Sequence, residues 1–169
     1  MATYTLEREQ LIPADIKTLW AFFSNPVNLG VITPPDMKFQ QTSPSDGDKI
    51  YKGQLIRYRV SPMFGIRVSW LTEITQVEEE RSFTDEQRRG PFSLWVHRHF
   101  FEAVPGGTKM TDIIEYRVPG WFLGGLINKL FVTRRLQQIF DFRRAKTVEL
   151  WGEWPSPAAE AKKGILTAV

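Results

Sequence analysis

The sequence predicts an α+β domain: a curved antiparallel β-sheet wrapped around a long C-terminal helix, with two short helices after the first strand. Three observations carry this. Between Tyr51 and Val118, five strand-like runs follow one another, each separated from the next by a few turn residues. From about Leu126 to Trp151, apolar residues recur at helical spacing. Ahead of both, one strand-like run passes directly into a short helical pattern.

Taken in order, Thr3 to Ile12 alternates as a strand. Pro13 suits the first turn of a helix, and Ile16, Leu19, Trp20 and Phe23 then recur at helical intervals until Ser24-Asn25-Pro26 breaks the pattern. Val27 to Ile32 reads as a second short helical turn, ended by Pro34 and Pro35. Strands are expected at Tyr51–Val60, Ile66–Val77, Ser82–Arg88, Phe92–Val104 and Thr108–Val118. They are punctuated by Ser61-Pro62, Glu78-Glu79-Glu80, Arg89-Gly90-Pro91 and Pro105-Gly106-Gly107. Leu126, Ile127, Leu130, Leu136, Ile139, Phe140, Arg143 and Thr147 mark one side of the long helix. A single domain is expected over residues 1–152, followed by an Ala-, Pro- and Lys-rich tail over 153–169. Such a sheet buries a core at one end of the helix and leaves room for a cavity at the other.

The chain has 169 residues, enough to bury roughly 70% of its unfolded surface in one domain. Its aromatic content of 13%, with six Trp and twelve Phe, favours a thick core or an apolar ligand site. The net charge of +3 is concentrated late, at Lys129, Arg134, Arg135, Arg143, Arg144 and Lys146, and no nucleic-acid-reading motif accompanies it. The arginine pairs read as a solvated helix face. With no Cys, disulfides, thiolate metal sites and a catalytic thiol are excluded. The N-terminus lacks a signal pattern and no apolar run reaches membrane-spanning length, so a cytoplasmic protein without stable membrane insertion is expected. Its oligomeric state is left open.

Both histidines lie in the strand Leu94-Trp95-Val96-His97-Arg98-His99-Phe100-Phe101. Alternation puts His97 and His99 on one face, about 6–7 Å apart at Cα, together with Trp95 and Phe101. If Ala103 pairs with Thr108, then His99 lies opposite Asp112, His97 opposite Ile114 and Trp95 opposite Tyr116. If Arg88 pairs with Phe92, then Asp85 lies opposite Trp95, Phe83 opposite His97 and Gln87 opposite Ser93. The expected inner wall holds Asp85, Gln87, His97, His99, Asp112 and Tyr116 among Phe83, Trp95, Phe101 and Met110, with Tyr58 and Trp70 added by earlier strands. A few polar groups converging in an apolar concavity is the usual build of a small-molecule site. The same residues admit a plainer reading in which His99 and Asp112 satisfy each other. Two histidines with Asp85 or Asp112 could imitate a two-histidine, one-carboxylate metal site. No third histidine is available, so no metal and no cofactor are assigned.

The runs Phe83-Thr84-Asp85-Glu86-Gln87-Arg88-Arg89-Gly90-Pro91-Phe92 and Trp95-Val96-His97-Arg98-His99-Phe100 carry a family resemblance, with Gly107-Thr108, Asp112, Tyr116 and Ile139-Phe140-Asp141-Phe142-Arg143. From Tyr4 to about Trp151, the chain resembles a bacterial ligand-binding, cell-division-inhibitor-like branch of the START-like superfamily. That superfamily also holds the polyketide cyclase/dehydrase-like and Bet v 1-like proteins. The resemblance implies a helix-grip fold with a hydrophobic cavity, and leaves activity open because the fold serves many functions.

The leading expectation is a binder or carrier of a small hydrophobic molecule, with His97, His99, Asp112 and Gln87 orienting a polar head. One alternative is a cyclase- or dehydratase-type enzyme in which His99, tuned by Asp112, is the general base and Tyr116 or Asp85 the proton donor. Another is a regulatory module that meets a protein or membrane surface through Trp121-Phe122-Leu123-Gly124-Gly125-Leu126.

Overall fold

The computed structural model describes residues 2–44, 47, 49–119 and 131–155. Seven strands form one antiparallel sheet: β1 (Tyr4–Ile12), β2 (Gln40–Gln41), β3 (Leu55–Val60), β4 (Val68–Glu78), β5 (Ser82–Arg89), β6 (Leu94–Val104) and β7 (Gly107–Arg117). Their spatial order is β1-β7-β6-β5-β4-β3-β2, so only β1 and β7 pair across a long stretch of sequence. A short helix α1 (Ile16–Phe23) and two 3₁₀ segments (Pro26–Gly30 and Pro35–Met37) connect β1 to β2, and a long helix α2 (Thr133–Trp151) follows the sheet. This is the expected α+β architecture. The Trp121–Leu126 segment, the first turns expected of the long helix and most of the tail lie outside the described residues.

Each element starts where local chemistry allows it. Helix α1 is capped by Asp15, whose carboxylate accepts from the Thr18 backbone N–H at 3.0 Å and the Thr18 hydroxyl at 2.7 Å. Pro13 was expected within the first turn but stands before this cap. Gly53, at φ 87°, takes up the left-handed backbone and closes a turn over residues 51–54, so β3 begins at Leu55 instead of Tyr51. The β6–β7 turn is tighter than the four-residue loop expected, because Val104 pairs with Gly107 and leaves only Pro105 and Gly106 outside the ladder. Proline followed by a glycine at φ 91° is what a type II turn requires.

Curvature comes from β4 and β5, whose register shifts between Leu71 and Thr72 and again between Ile74 and Gln76. An extra residue in one strand bends it and resets which side chains face inward. Trp70, Thr72 and Ile74 are therefore buried on the concave side, and after the shift Val77 packs against the same core. Helix α2 lies across that side, burying Leu136, Phe140 and Thr147. At one end, Leu19, Trp20, Phe83, Phe101 and Met110 form a close-packed core, with Trp20 edge-on to both Phe83 and Phe101. Near the start of α2, a second cluster joins Ile114, Tyr116 and Val118 to Val132, Leu136 and Phe140. Between the two clusters the sheet and helix separate.

Candidate functional site

The β6–β7 register matches the expectation: Trp95 faces Tyr116, His97 faces Ile114, and His99 faces Asp112. The β5–β6 register does not. Phe83 faces His99 and Asp85 faces His97, two residues away from the Arg88–Phe92 pairing expected. The cause is the Gln87 side chain, whose amide donates to the Phe92 carbonyl at 2.6 Å and whose oxygen accepts the Phe92 N–H at 3.3 Å. A side chain thus replaces ladder bonds that Pro91, lacking an N–H, cannot sustain. A Cβ at Gly90 would collide with this amide, so glycine leaves the room it occupies. Because the displacement is an even number of residues, every side chain keeps its expected face.

A cavity of about 430 Å³ lies between the sheet, the two 3₁₀ segments and α2, within the range of small-molecule sites. Its wall is mainly aromatic and aliphatic. Seven of the residues expected at the site line it: Tyr58, Trp70, Phe83, Asp85, Trp95, His97 and His99. The others sit elsewhere. Gln87 closes the β5–β6 loop, and Phe101 is buried in the core beside Trp20 and Phe23. Tyr116 packs in the second cluster with its hydroxyl 3.3 Å from that of Thr133, while Asp112 stands behind the histidines.

The polar part of the wall is a cluster of two imidazoles and two carboxylates. Asp112 Oδ1 is 2.8 Å from His97 Nε2 and 2.8 Å from His99 Nδ1; the first contact is a directed hydrogen bond, and the second is close but poorly aligned. On the cavity side, Asp85 Oδ2 is 3.1 Å from His99 Nε2 and 3.6 Å from His97 Nδ1. The two imidazole centroids are 3.8 Å apart, and the His99 ring stacks on Phe83 at 4.0 Å.

Burial and proximity give the two rings opposite tendencies. For His97, burial first and the neighbouring His99 second push the pKa below its ordinary value, against the pull of the carboxylates. For His99, burial also opposes charge, but hydrogen bonding and attraction from Asp112 and Asp85 together outweigh it and raise the pKa. The two rings are thus pushed in opposite directions, His97 toward the neutral form and His99 toward the cation. Burial would raise the Asp112 carboxyl, yet the two imidazoles overcome it and hold that group well below the usual carboxylate range. Tyr58 is pushed upward by burial and by Asp85, so its hydroxyl stays protonated, 2.6 Å from that of Thr72.

Of the arginine pairs on α2, Arg134 and Arg144 are exposed as the solvated face expected, whereas Arg135 and Arg143 are drawn in. The Arg143 side chain is only 11% exposed, with Nη1 at 3.8 Å from Asp112 Oδ1, and its guanidinium lies over the Phe140 ring. Arg135 donates to the Pro62 carbonyl at 2.8 Å and to Asp36 at 2.7 Å, tying the helix to the rim of the cavity. Arg143 falls three residues after Phe140 and seven after Leu136, on the buried stripe, and that spacing was the available signal. Thr72, Leu29 and Ile32 also line the cavity and were not foreseen. Leu29 and Ile32 come from a segment without a periodic pattern.

A sequence model of the family described as polyketide cyclase / dehydrase and lipid transport matches residues 12–144. No curated protein matches the sequence. Among solved structures, the chain is similar to protein Ms6760 from Mycobacterium smegmatis, with a TM-score of 0.60 and 20% identity over 83% of this chain and 88% of that one. TTHA0849 from Thermus thermophilus is similar with a TM-score of 0.62 and 18% identity, over 87% of this chain and 99% of that one. Ara h 8.0201 gives a TM-score of 0.57 and 16% identity, over 88% of this chain and 99% of that one. At these identities the likeness shows the shared helix-grip fold. Among the described residues, no helix is long and apolar enough to cross a membrane.

Proposed function

The chain belongs to the polyketide cyclase / dehydrase and lipid transport family, within the START-like superfamily, and from that premise we propose that it binds and carries a small hydrophobic molecule in the cavity between sheet and helix. The observation that carries this reading is the cavity itself, a mainly apolar space of about 430 Å³ with Asp85, His97 and His99 gathered at one place on the wall. Apolar walls supply affinity by removing ligand surface from water, and a few polar groups fix orientation. Tyr58, Thr72, Asp85, His97, His99 and Arg143 are among the polar groups available to a polar head.

Binding is favoured over acid–base chemistry at His99 by the contacts of that ring. A general base needs a free lone pair within reach of the substrate. Both nitrogens of His99 stand against carboxylates, at 3.1 Å from Asp85 and 2.8 Å from Asp112, and neither is left free for a substrate. A ring held between two carboxylates in this way is suited to orienting a ligand and ill placed to take up its proton.

The test is native mass spectrometry of the gently purified protein, then denaturation and identification of what is released. A stoichiometric organic adduct is the expected result, together with saturable uptake of a fluorescent fatty acid by stripped protein. Val60→Phe, which projects a larger side chain into the cavity, is expected to weaken that uptake by about tenfold or more. A bare mass with no saturable uptake would overturn the reading.

A further inference from the structure

We propose that Asp85, His97 and His99 form a site for one divalent transition-metal ion of the Zn²⁺ or Fe²⁺ class, opening into the cavity. The three residues each offer one ligand atom, and these atoms lie within 4.8 Å of one another. Asp85 Oδ2 is 3.1 Å from His99 Nε2 and 3.6 Å from His97 Nδ1. Ligand atoms around a tetrahedral ion with bonds of about 2.0–2.1 Å stand roughly 3.3 Å apart, so small side-chain rotations give the three a common centre.

The hydrogen bonding points the same way. His97 Nε2 is 2.8 Å from Asp112 Oδ1, and a carboxylate only accepts, so in the neutral ring the proton sits on that nitrogen. Its Nδ1 lone pair then faces an Asp85 oxygen at 3.6 Å, too far for a hydrogen bond. Two electron-rich atoms confront each other there, and a cation between them satisfies both. His99 is placed similarly, with Nδ1 2.8 Å from the same Asp112 oxygen, though poorly aligned with it, and Nε2 3.1 Å from Asp85. One buried carboxylate thus hydrogen-bonds the far nitrogen of His97, as the outer carboxylates of histidine–metal sites do, and stands 2.8 Å from the far nitrogen of His99. Arg143, 3.8 Å from Asp112, braces that carboxylate from the helix.

Asp85, His97 and His99 line the cavity while Asp112 does not, so the remaining coordination positions face the space a ligand would occupy. Two imidazoles and one carboxylate suit Zn²⁺ or Fe²⁺ better than Mg²⁺ or Ca²⁺, which prefer oxygen alone. Coordination requires the Nε2 lone pair of His99, so the ion takes the place of any proton shared between that nitrogen and Asp85.

Metal uptake is measured without any organic ligand, so its failure leaves the carrier reading standing, and the reverse. The full chain, freed of metal by a chelator and dialysed, is titrated with Co²⁺ and then with Zn²⁺. The expected result is one equivalent of Co²⁺ with the visible absorption of a low-coordinate site, displaced by Zn²⁺. Asp85→Asn and His99→Gln, checked for folding by circular dichroism, are expected to weaken binding at least about tenfold, and Asp112→Asn by about 10–100-fold. The chain has only two histidines, so proton NMR gives a readout that needs no variant: both imidazole signals shift together and stop at one equivalent of Zn²⁺. Absence of saturable uptake, histidine signals that do not respond, or a folded Asp85→Asn that binds within tenfold of the parent overturns the proposal.

Discussion

His97 and His99 are separated by a single residue, equally buried and held against the same carboxylate, yet they carry opposite charge tendencies. The difference lies in partners: His99 stands close to two carboxylate oxygens, whereas His97 has one short contact and one at 3.6 Å. In metal-free protein, NMR titration is therefore expected to show His99 losing its proton above pH 6.5 and His97 at a lower pH. The reverse order would contradict this electrostatic account. The consequence for stability follows from the directions. The His99 contribution is fully present below its unfolded pKa near 6.5 and is lost as the pH rises through its raised folded value. His97 acts oppositely, costing stability as the pH falls below 6.5, because the folded state resists its protonation. Asp112 contributes stability above its unfolded value near 3.8, and that contribution is lost as the pH falls further. Asp112→Asn leaves His99 and Arg143 short of a buried counter-charge. A loss of about 3–5 kcal/mol at neutral pH is expected by urea denaturation.

At the scale of elements, two close approaches set the hairpins that present the cluster. Gly107 opens β7 against the chain leaving β1: a Cβ there would strike the Ile12 carbonyl oxygen and come within 3.0 Å of both Pro13 Cα and the Trp154 ring. Backbone cannot yield as a flexible side chain can. Gly107→Ala is expected to cost about 1–3 kcal/mol, visible as a Tm lowered by several degrees in thermal denaturation. Beside it, Thr108 is fully buried and donates to the Ala14 carbonyl at 2.8 Å, which fixes α1 against the same sheet edge. The other approach is Gly90 over the Gln87 amide, which sets the β5–β6 register and so brings Asp85 opposite His97. Helix α2 supplies the remaining wall through Leu136, Ile139, Phe140 and Arg143.

Across the whole molecule, stability and ligand capacity are lodged in different places. The packed end around Leu19, which has no exposed surface, supplies cohesion, while the cavity gives up close packing for volume. Leu19→Ala is expected to destabilise by about 2–5 kcal/mol in denaturant titration while leaving uptake per folded molecule unchanged. Val60→Phe is expected to do the reverse, and similar effects of both on uptake would show that the division is wrong. How far the sequence alone reaches follows the same division. Alternation in Trp95–Phe101 and Met110–Val118, bounded by Pro105-Gly106, determined the β6–β7 register and the shared face of the histidines, because strand period and turn length are local properties. The helical stripe through Leu136, Phe140 and Arg143 determined the face that α2 buries. Only the tertiary structure decided that Asp112 stands behind the imidazoles while Asp85 fronts the cavity, that Gln87 closes a loop, and that Arg143 is drawn in beside Asp112. Those outcomes depend on sheet curvature and on a helix packed from far along the chain, and no local period encodes either.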